Sequence, residues 1–315
     1  MLAMTIGSVS LRQAPLAVLA ICWLVMAPLL QATPASANDP LETRLRRMTR
    51  GFQGTVMLHA RNLDSGREVS IDADRPVRTA STIKLPIACA LAAEVAAGRA
   101  SWDEPLVVDH TAKVSGSGVL AEYADGEVVS LRTARNLMIV VSDNTATNLI
   151  ITRIRADTVN EFMAELGFTA TRSMRKIRGD GARLKPAEGW SREGEKEENK
   201  RFGIGRSTPR EMTRLLELLE QGEIVDAASS KELLEVLERQ QYKDGIGRKT
   251  GDLRVASKSG SLDALRSDVG IVHTKHGRIA IAITVDDMPQ IDYSPDNVGN
   301  KLIADLSAVL VEELK

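Results

Sequence analysis

The chain has 315 residues, of which 43% are hydrophobic and 26% are charged, and its formal net charge is −1. This composition is typical of a globular protein, and the near-zero charge gives no electrostatic basis for binding nucleic acid or an anionic membrane. Aromatic residues make up only 3% of the chain, which also argues against surfaces that stack on bases. We therefore expect no nucleic-acid partner and no membrane contact beyond export.

The first 37 residues have the pattern of a secretory signal peptide. Arg12 is the only charged residue among them, an apolar run follows it, and Ala35 and Ala37 precede the polar Asn38. The sequence predicts cleavage after Ala37, and hence a secreted or periplasmic protein with one domain over residues 38–315. The alternative is an uncleaved membrane anchor, because the apolar run is as long as such regions become.

The next part of the chain alternates between helical and strand patterns. Residues 39–52 have the period of a short amphipathic helix, and residues 54–75 form two alternating runs around the turn sequence NLDSG, which predicts a β-hairpin. Residues 81–98 are apolar on nearly every side, which predicts a buried helix with Ser81 or Thr82 as its cap.

The middle of the chain is helical, and the C-terminal part changes to strands. Two helices are predicted on either side of Ser142-Asp143-Asn144, and further helices cover residues 157–168, 208–222 and 228–240. Three strands and a terminal helix follow, in the runs RVASKSGSL, SDVGIVHTKHG, RIAIAITVDDM and SPDNVGNKLIADLSAVLVEELK. Residues 178–206 show neither period and predict a long loop, functional or disordered.

This order of elements predicts the fold class α+β. We expect the N-terminal hairpin to pair with the three C-terminal strands in one five-stranded antiparallel sheet. The first and last helices would cover one face of the sheet, and the helical middle would form a second, mostly helical lobe on the other. A site between the two lobes would then take residues from both.

Histidine and cysteine do not indicate a metal site or a serine–histidine pair. The four histidines, His59, His110, His273 and His276, stand beside no nucleophile motif, which disfavours a Ser-His-Asp triad or a metal cluster. Beyond the signal segment the only cysteine is Cys89, which cannot form an intramolecular disulfide and lies in an apolar run. It is predicted to be a buried thiol, and we expect no metal and no cofactor.

A serine that works without histidine needs a lysine as its base, and the run STIK offers one. Ser81 and Lys84 are three residues apart, so on a helix they share one face. The positive potential of a helix N-terminus would stabilise a developing alkoxide at Ser81. Lys84 could accept the proton only in its neutral form, which requires burial or a neighbouring cation.

Two further motifs follow in order, Ser142-Asp143-Asn144 at a helix break and Lys258-Ser259-Gly260 on a predicted strand. A competing triad, Lys249-Thr250-Gly251, lies in a glycine-rich turn without strand period, so the strand context favours Lys258. The ordered set S-x-x-K, S-D-N and K-[ST]-G resembles the signature of class A β-lactamases and penicillin-binding proteins. The resemblance covers the whole of residues 38–315 and implies their β-lactamase/transpeptidase-like fold.

The resemblance also implies roles for individual residues. Ser81 would be the nucleophile that becomes acylated, Lys84 its base, and Ser142 the group that passes a proton to the leaving nitrogen. Asn144 would orient the substrate amide and hold Lys84.

For binding, the resemblance implies that Lys258 and Ser259 of the Lys258-Ser259-Gly260 motif hold the substrate carboxylate. The backbone N–H groups of Ser81 and Ser261 would form the oxyanion hole. Arg266 is expected as a second carboxylate anchor, or alternatively as a solvated charge at a strand end.

The glutamate that deacylates class A enzymes has no clear counterpart. Alignment through Thr171-Arg172 places Ile177 at its position, whereas a second register matches Glu195 and Asn199 to the glutamate and its amide partner. In the second register Glu195 would be the catalytic base, although residues 193–201 also fit a solvated run of charges. Glu188 is a further carboxylate nearby.

The function expected from these residues is that of a serine β-lactamase-type hydrolase, acting through an acyl-Ser81 intermediate as a monomer on a small-molecule β-lactam. The alternatives are a related acyl-transfer enzyme that acts on cell-wall D-alanyl peptides or esters, and a β-lactam sensor that deacylates slowly. All three share acylation and differ in the fate of the acyl-enzyme.

Overall fold

The computed structural model describes residues 40–178 and 189–315, so the predicted signal peptide and Glu188 lie outside the described residues. The helices are α1 (Pro40–Thr49), α2 (Lys84–Ala96), α3 (Leu131–Val140), α4 (Asn144–Ile154), α5 (Ala156–Glu165), α6 (Arg192–Glu195), α7 (Pro209–Gln221), α8 (Ala227–Glu238) and α9 (Val298–Glu313). The strands are β1 (Thr55–Asn62), β2 (Glu68–Ile71), β3 (Val77–Arg78), β4 (Pro105–Val107), β5 (Val128–Ser130), β6 (Arg172–Ser173), β7 (Gly205–Ser207), β8 (Arg254–Leu262), β9 (Leu265–Thr274) and β10 (Gly277–Asp286).

A five-stranded antiparallel sheet organises the fold, with the strand order β2-β1-β10-β9-β8. The N-terminal hairpin joins the C-terminal strands through β1 and β10, where Ala60 lies opposite Ile281. At the other end β8 pairs only with β9, and Ser259 lies opposite Asp268. The predicted α+β fold with its five-stranded sheet is therefore confirmed, and β8 is an edge strand.

The alternation of β10 explains why helices cover both faces of the sheet. Ile279, Ile281 and Ile283 pack into one apolar core with residues of α1 and α9. Ala280 and Ala282 point to the opposite face and belong to the core of the helical lobe. Since alanine side chains are small, α7 can pack directly on β10 and β1 at that face.

The second predicted helix begins later than its sequence pattern suggested. Residues Ala80–Ile83 form a 3-10 turn, and the α-helix starts at Lys84 with Ile83 as an N-cap that makes no side-chain bond. The hydroxyl of Thr82 donates to Thr79 O at 2.8 Å. The predicted cap by Ser81 or Thr82 is therefore wrong, and the Ser81 side chain does not cap the N-terminus of α2.

The segment predicted as a long loop is partly structured where it is described. Ser191 caps α6 by accepting from the N–H of Gly194 at 3.0 Å, and Glu197–Phe202 form a 3-10 turn. The hydroxyl of Ser191 also donates to Ser173 O at 2.8 Å, which ties this segment to β6. The prediction of a long loop without regular secondary structure is therefore wrong for residues 189–206.

Two further side chains are notable for their burial. Cys89 is a free thiol with no exposed surface, as predicted. His59 is also buried, between Thr213 and Arg210 of α7, and burial lowers its pKa to about 3. Within the described ranges, no helix has the length and apolar character needed to cross a membrane.

Candidate active site

Ser81 lies at a cavity of about 300 Å³ between the 3-10 turn and the edge strand β8. The residue before it, Ala80, adopts a φ of +46°, a left-handed conformation that is unfavourable for a residue with a side chain. Gly260 on β8 packs against this turn so closely that a Cβ there would lie 2.9 Å from Ser81 N. The turn and the strand therefore fix each other, and Ser81 stays partly exposed at the cavity.

Lys84, one turn further along the chain, is fully buried behind Ser81. Its Nζ donates to Ser142 O at 2.6 Å, to Ser142 Oγ at 3.1 Å and to Asn144 Oδ1 at 2.9 Å. These bonds join the first two sequence motifs. Burial, and then the nearby charge of Lys258, hold the pKa of Lys84 well below its usual range, although Asp143 acts in the opposite direction.

Ser142 lies in the break between α3 and α4, where the sequence predicted a break, and Asn144 is the first residue of α4. Ser142 has a φ of +53°, which allows the chain to reverse between the helices. Asp143 caps α4 through Ala146 N at 2.7 Å. Its other carboxylate oxygen accepts from Val119 N at 2.6 Å and so holds the loop that lies over the break. Strain at Ser142 is thus offset by bonds from its neighbours.

Lys258 enters the site from the sheet and meets the same serine. Its Nζ, on a fully buried side chain, donates to Ser142 Oγ at 3.1 Å. Ser142 Oγ therefore lies between two lysine nitrogens, each 3.1 Å away. Burial lowers the pKa of Lys258 to about 7, while Asp268 on β9 acts to raise it. Because burial lowers the pKa of both lysines, their nitrogens can exchange protons with the hydroxyl between them.

The competing triad has no part in this arrangement. Lys249 is an exposed residue at the end of the 3-10 turn Ile246–Lys249 and forms an ion pair with Asp305 on α9. The structure thus brings Lys258, and not Lys249, to Ser142.

The edge of β8 completes the wall of the cavity. Ser259 is half-buried, Ser261 is exposed, and both line the cavity that Ser81 reaches. Alternate residues of an edge strand turn their N–H and C=O groups to the unpaired side, so Ser259 and Ser261 present theirs in the same direction. A substrate amide lying along this edge would meet the N–H of Ser261.

Arg266 also lines the cavity, but its guanidinium nitrogens already donate to main-chain carbonyls. It donates to Leu262 O and Leu265 O at 2.5 Å each, and also to Asp292 O. The ring of Tyr293 covers it at 4.9 Å. With a 1% exposed surface, Arg266 holds the β8–β9 turn to the loop before α9, and little of it is left for a substrate. The alternative of a solvated strand-end charge is wrong.

Glu195 is not brought to the other predicted residues. It ends α6 with an exposed side chain and is absent from the lining of the Ser81 cavity. Asn199, its expected amide partner, instead donates to Glu193 O at 2.9 Å and accepts from Arg206 at 2.7 Å. The register that assigned Glu195 as a base rested only on residue types within a polar run. In the structure Asn199 bonds to Glu193 and Arg206, and not to Glu195.

The register that aligns Ile177 with the family's glutamate falls on a segment that is fixed by hydrogen bonds. The amide of Asn148 on α4 donates to Ile177 O at 2.9 Å and accepts from Ile177 N at 2.8 Å. This pair of bonds fixes the backbone of Ile177, whose side chain is apolar and largely buried. In this register, the position expected for the family's glutamate is therefore taken by an apolar residue whose backbone is fixed.

Sequence reasoning missed several residues of the cavity because they come from separate loops. They are Ser117, Tyr242, Asp244, Asp268 and Tyr293. It also missed Gln240, which is 1% exposed and contacts both Lys258 and Ser259. No local pattern marks Gln240, although an amide just after a helix and before a predicted edge strand was a signal to examine.

A model of the beta-lactamase enzyme family matches residues 40–314. A beta-lactamase from Sphaerobacter thermophilus is 28% identical with a TM-score of 0.73, and the match covers 86% of this chain and 95% of that chain. A mutant of PBP-A, solved as an acyl-enzyme complex with penicillin G, is 26% identical with a TM-score of 0.74, covering the same shares.

A beta-lactamase from Chitinophaga pinensis is 20% identical with a TM-score of 0.73, covering 88% of this chain and all of the other, and supports the fold alone. No curated protein matches the chain. The family match spans nearly all of the described residues, and the three motifs meet at Ser142. The chain therefore belongs to the beta-lactamase enzyme family.

Proposed function

We propose that Ser81 is acylated by β-lactams and that the acyl-enzyme then hydrolyses slowly. The observation that carries the acylation step is the position of Ser142 Oγ, 3.1 Å from the buried Nζ of both Lys84 and Lys258. Such a pair of lysines on either side of Ser142, at the same cavity as the partly exposed Ser81, supplies a base and a proton path without histidine.

Acylation would proceed with Lys84 in its neutral form, which its burial favours. Ser81 Oγ attacks the ring carbonyl, its proton passes to Lys84 Nζ, and the backbone N–H groups of Ser81 and Ser261 hold the oxyanion. The ring nitrogen leaves with the proton of Ser142, and Lys84 returns a proton to Ser142. The free protein has Lys84 bonded to Ser142 and Asn144, so one of these bonds must yield to Ser81 during the reaction.

The substrate carboxylate would bind at Lys258 and Ser259, where a buried ammonium and a hydroxyl lie side by side. Arg266 would support this site by fixing the turn beside it, because its own donors face main-chain carbonyls. Asn144 would hold Lys84 and present its amide to the substrate.

Slow deacylation follows from the carboxylates that the cavity offers. Its described lining contains Asp244 and Asp268 but no glutamate, and Ile177 stands where the family's glutamate is expected. Without a positioned base, water attacks the acyl ester slowly. The second candidate is an efficient β-lactamase, which is favoured by the 28% identity to the Sphaerobacter thermophilus enzyme.

Intact mass spectrometry with penicillin tests the proposal directly. The wild type should gain one adduct that persists, Ser81→Ala should gain none, and Glu195→Gln should lose its adduct as the wild type does. A chromogenic cephalosporin should give about one equivalent of product and then a stall. Steady turnover would instead support the efficient β-lactamase, and a wild type that neither gains an adduct nor turns over the cephalosporin would rule out both.

We also propose that the protein acts after export and that residues 1–37 are removed. N-terminal sequencing of the exported protein should begin at Asn38. A product that still begins at Met1 and sediments with membranes would favour the anchor.

A further inference from the structure

We propose that Gln240 is a positioning residue of the cleft, whose side-chain amide orients Lys258 and Ser259 to receive a substrate carboxylate. This inference rests on the function proposed above and adds a residue to it. Gln240 follows α8, is 1% exposed, and lies outside the three sequence motifs.

The amide oxygen of Gln240 is shared by three donors. It accepts from Ser259 N at 2.8 Å, from Ser259 Oγ at 3.0 Å and from Lys258 Nζ at 3.3 Å. The amide nitrogen donates to Ser257 Oγ at 2.8 Å, which fixes the direction of the side chain. One residue from the helical lobe therefore holds the backbone, the hydroxyl and the ammonium of the β8 motif at once.

A neutral acceptor suits this position better than a charged one. The charged groups that face Lys258 are Lys84, across Ser142, and Asp268 on β9, which is itself influenced by Lys243. The amide engages the ammonium without adding a negative charge. A carboxylate there would hold Lys258 in its charged form and repel an incoming carboxylate.

The same amide prepares the Ser259 hydroxyl for exchange. In the free protein this hydroxyl donates to Gln240, whose neutral oxygen is a weaker acceptor than a carboxylate. A bound carboxylate can therefore take over the hydrogen, while the N–H of Ser259 stays on Gln240. The hydroxyl is thus held in place before binding and released by it.

Gln240→Glu and Gln240→Met separate these contributions, with Gln241→Glu as the matched control. Gln241 is exposed and carries the same charge change one residue away. The first readout is the ¹³C chemical shift of Lys258 Cε against pH, assigned with Lys258→Arg. Gln240→Glu should raise the pKa of Lys258 by about one to three units, and Gln241→Glu should not.

The second readout is the rate of Ser81 acylation against penicillin concentration. Gln240→Met should lower the rate at low penicillin about ten- to one-hundred-fold, mainly through weaker binding rather than a slower maximal rate. An unchanged Lys258 titration in Gln240→Glu would overturn the inference, and so would wild-type acylation by Gln240→Met. If Gln240→Met fails to fold, the titration decides. If the wild type is never acylated, the proposed function fails, and the titration still tests Gln240.

Discussion

Replacing Gly260 by alanine should damage acylation more than it damages the fold. The added Cβ would lie 2.8 Å from Thr79 O and 2.9 Å from Ser81 N, both backbone atoms that cannot turn aside. Ordinary contacts to carbon need about 3.5 Å, so β8 and the 3-10 turn must separate by roughly 0.6 Å. Such overpacking costs about 1–3 kcal/mol in the free energy of unfolding.

The same displacement moves the N–H of Ser261 away from that of Ser81, and these two groups form the proposed oxyanion hole. Misplacement on this scale, or the loss of one donor, lowers the rate about one-hundred-fold. The assay is the rate of penicillin adduct formation by mass spectrometry, with thermal unfolding measured in parallel. Gly247→Ala is the control, because its Cβ would meet only the flexible side chain of Lys243, at 3.2 Å. Wild-type acylation by a folded Gly260→Ala protein would refute the reasoning.

Four further outcomes are expected. Lys258→Ala should slow adduct formation about one-hundred-fold or more, whereas Lys249→Ala should acylate like the wild type because its exposed pair with Asp305 is worth little. The acylation rate, measured by stopped flow, should fall above about pH 7 as Lys258 loses the proton that binds the carboxylate, and a rate that stays level to high pH would contradict this. Ile177→Glu should shorten the lifetime of the penicillin adduct, and an unchanged lifetime would show that this position does not reach the acyl group. Glu211→Ala should lower the free energy of unfolding in urea by about 2 kcal/mol, because the carboxylate accepts the N–H groups of residues 169–171.

The Glu211 prediction carries a pH dependence with a definite sign. Burial acts to raise the pKa of Glu211, but hydrogen bonds from Thr171, Ala170 and Thr169 outweigh it and lower the pKa below its usual value. A lowered carboxyl pKa contributes stability that is present above the unfolded-state pKa and is lost as pH falls through the folded-state pKa. The difference between the wild type and Glu211→Ala should therefore shrink in acid, and a difference that is constant with pH would contradict it.

The sequence predicted those parts of the fold and of the site that depend on a motif or a periodic pattern within one short segment. Ser81 and Lys84 lie one turn apart, Ser142 lies at a break between two amphipathic runs, and Lys258 lies on a strand with period two. Each feature could be recognised within about ten residues, so the main helices and the strands of the five-stranded sheet were predicted in the right order, whereas the short strands β3 to β7 were not predicted. The structure brings Ser81, Lys84, Ser142 and Lys258 together because those elements meet at one edge of the sheet.

The remaining features depend on contacts between distant segments. The amide of Gln240 matters only because the end of α8 packs beside β8, and no spacing in the chain announces that contact. Asn148 likewise holds Ile177 across a gap of 29 residues. Glu195 does not line the cavity, and its assignment as a base came from a polar run that can be matched to a motif in several registers. The 3-10 turn at Ser81 replaced a capped helix because Gly260 and Thr79 hold the chain there.

The unpaired edge of β8 also affects the tendency of the protein to aggregate through strand pairing. A free strand edge invites strands from other molecules, and this one has to stay open if small molecules are to reach it. Gln240 covers part of this edge, because its amide oxygen accepts from the outward-facing N–H of Ser259. With that N–H already bonded, another strand cannot form an unbroken ladder of hydrogen bonds along β8. We therefore expect Gln240 to disfavour pairing between the β8 edges of two molecules, so a Gln240→Met protein should aggregate more readily on prolonged incubation even where it folds normally.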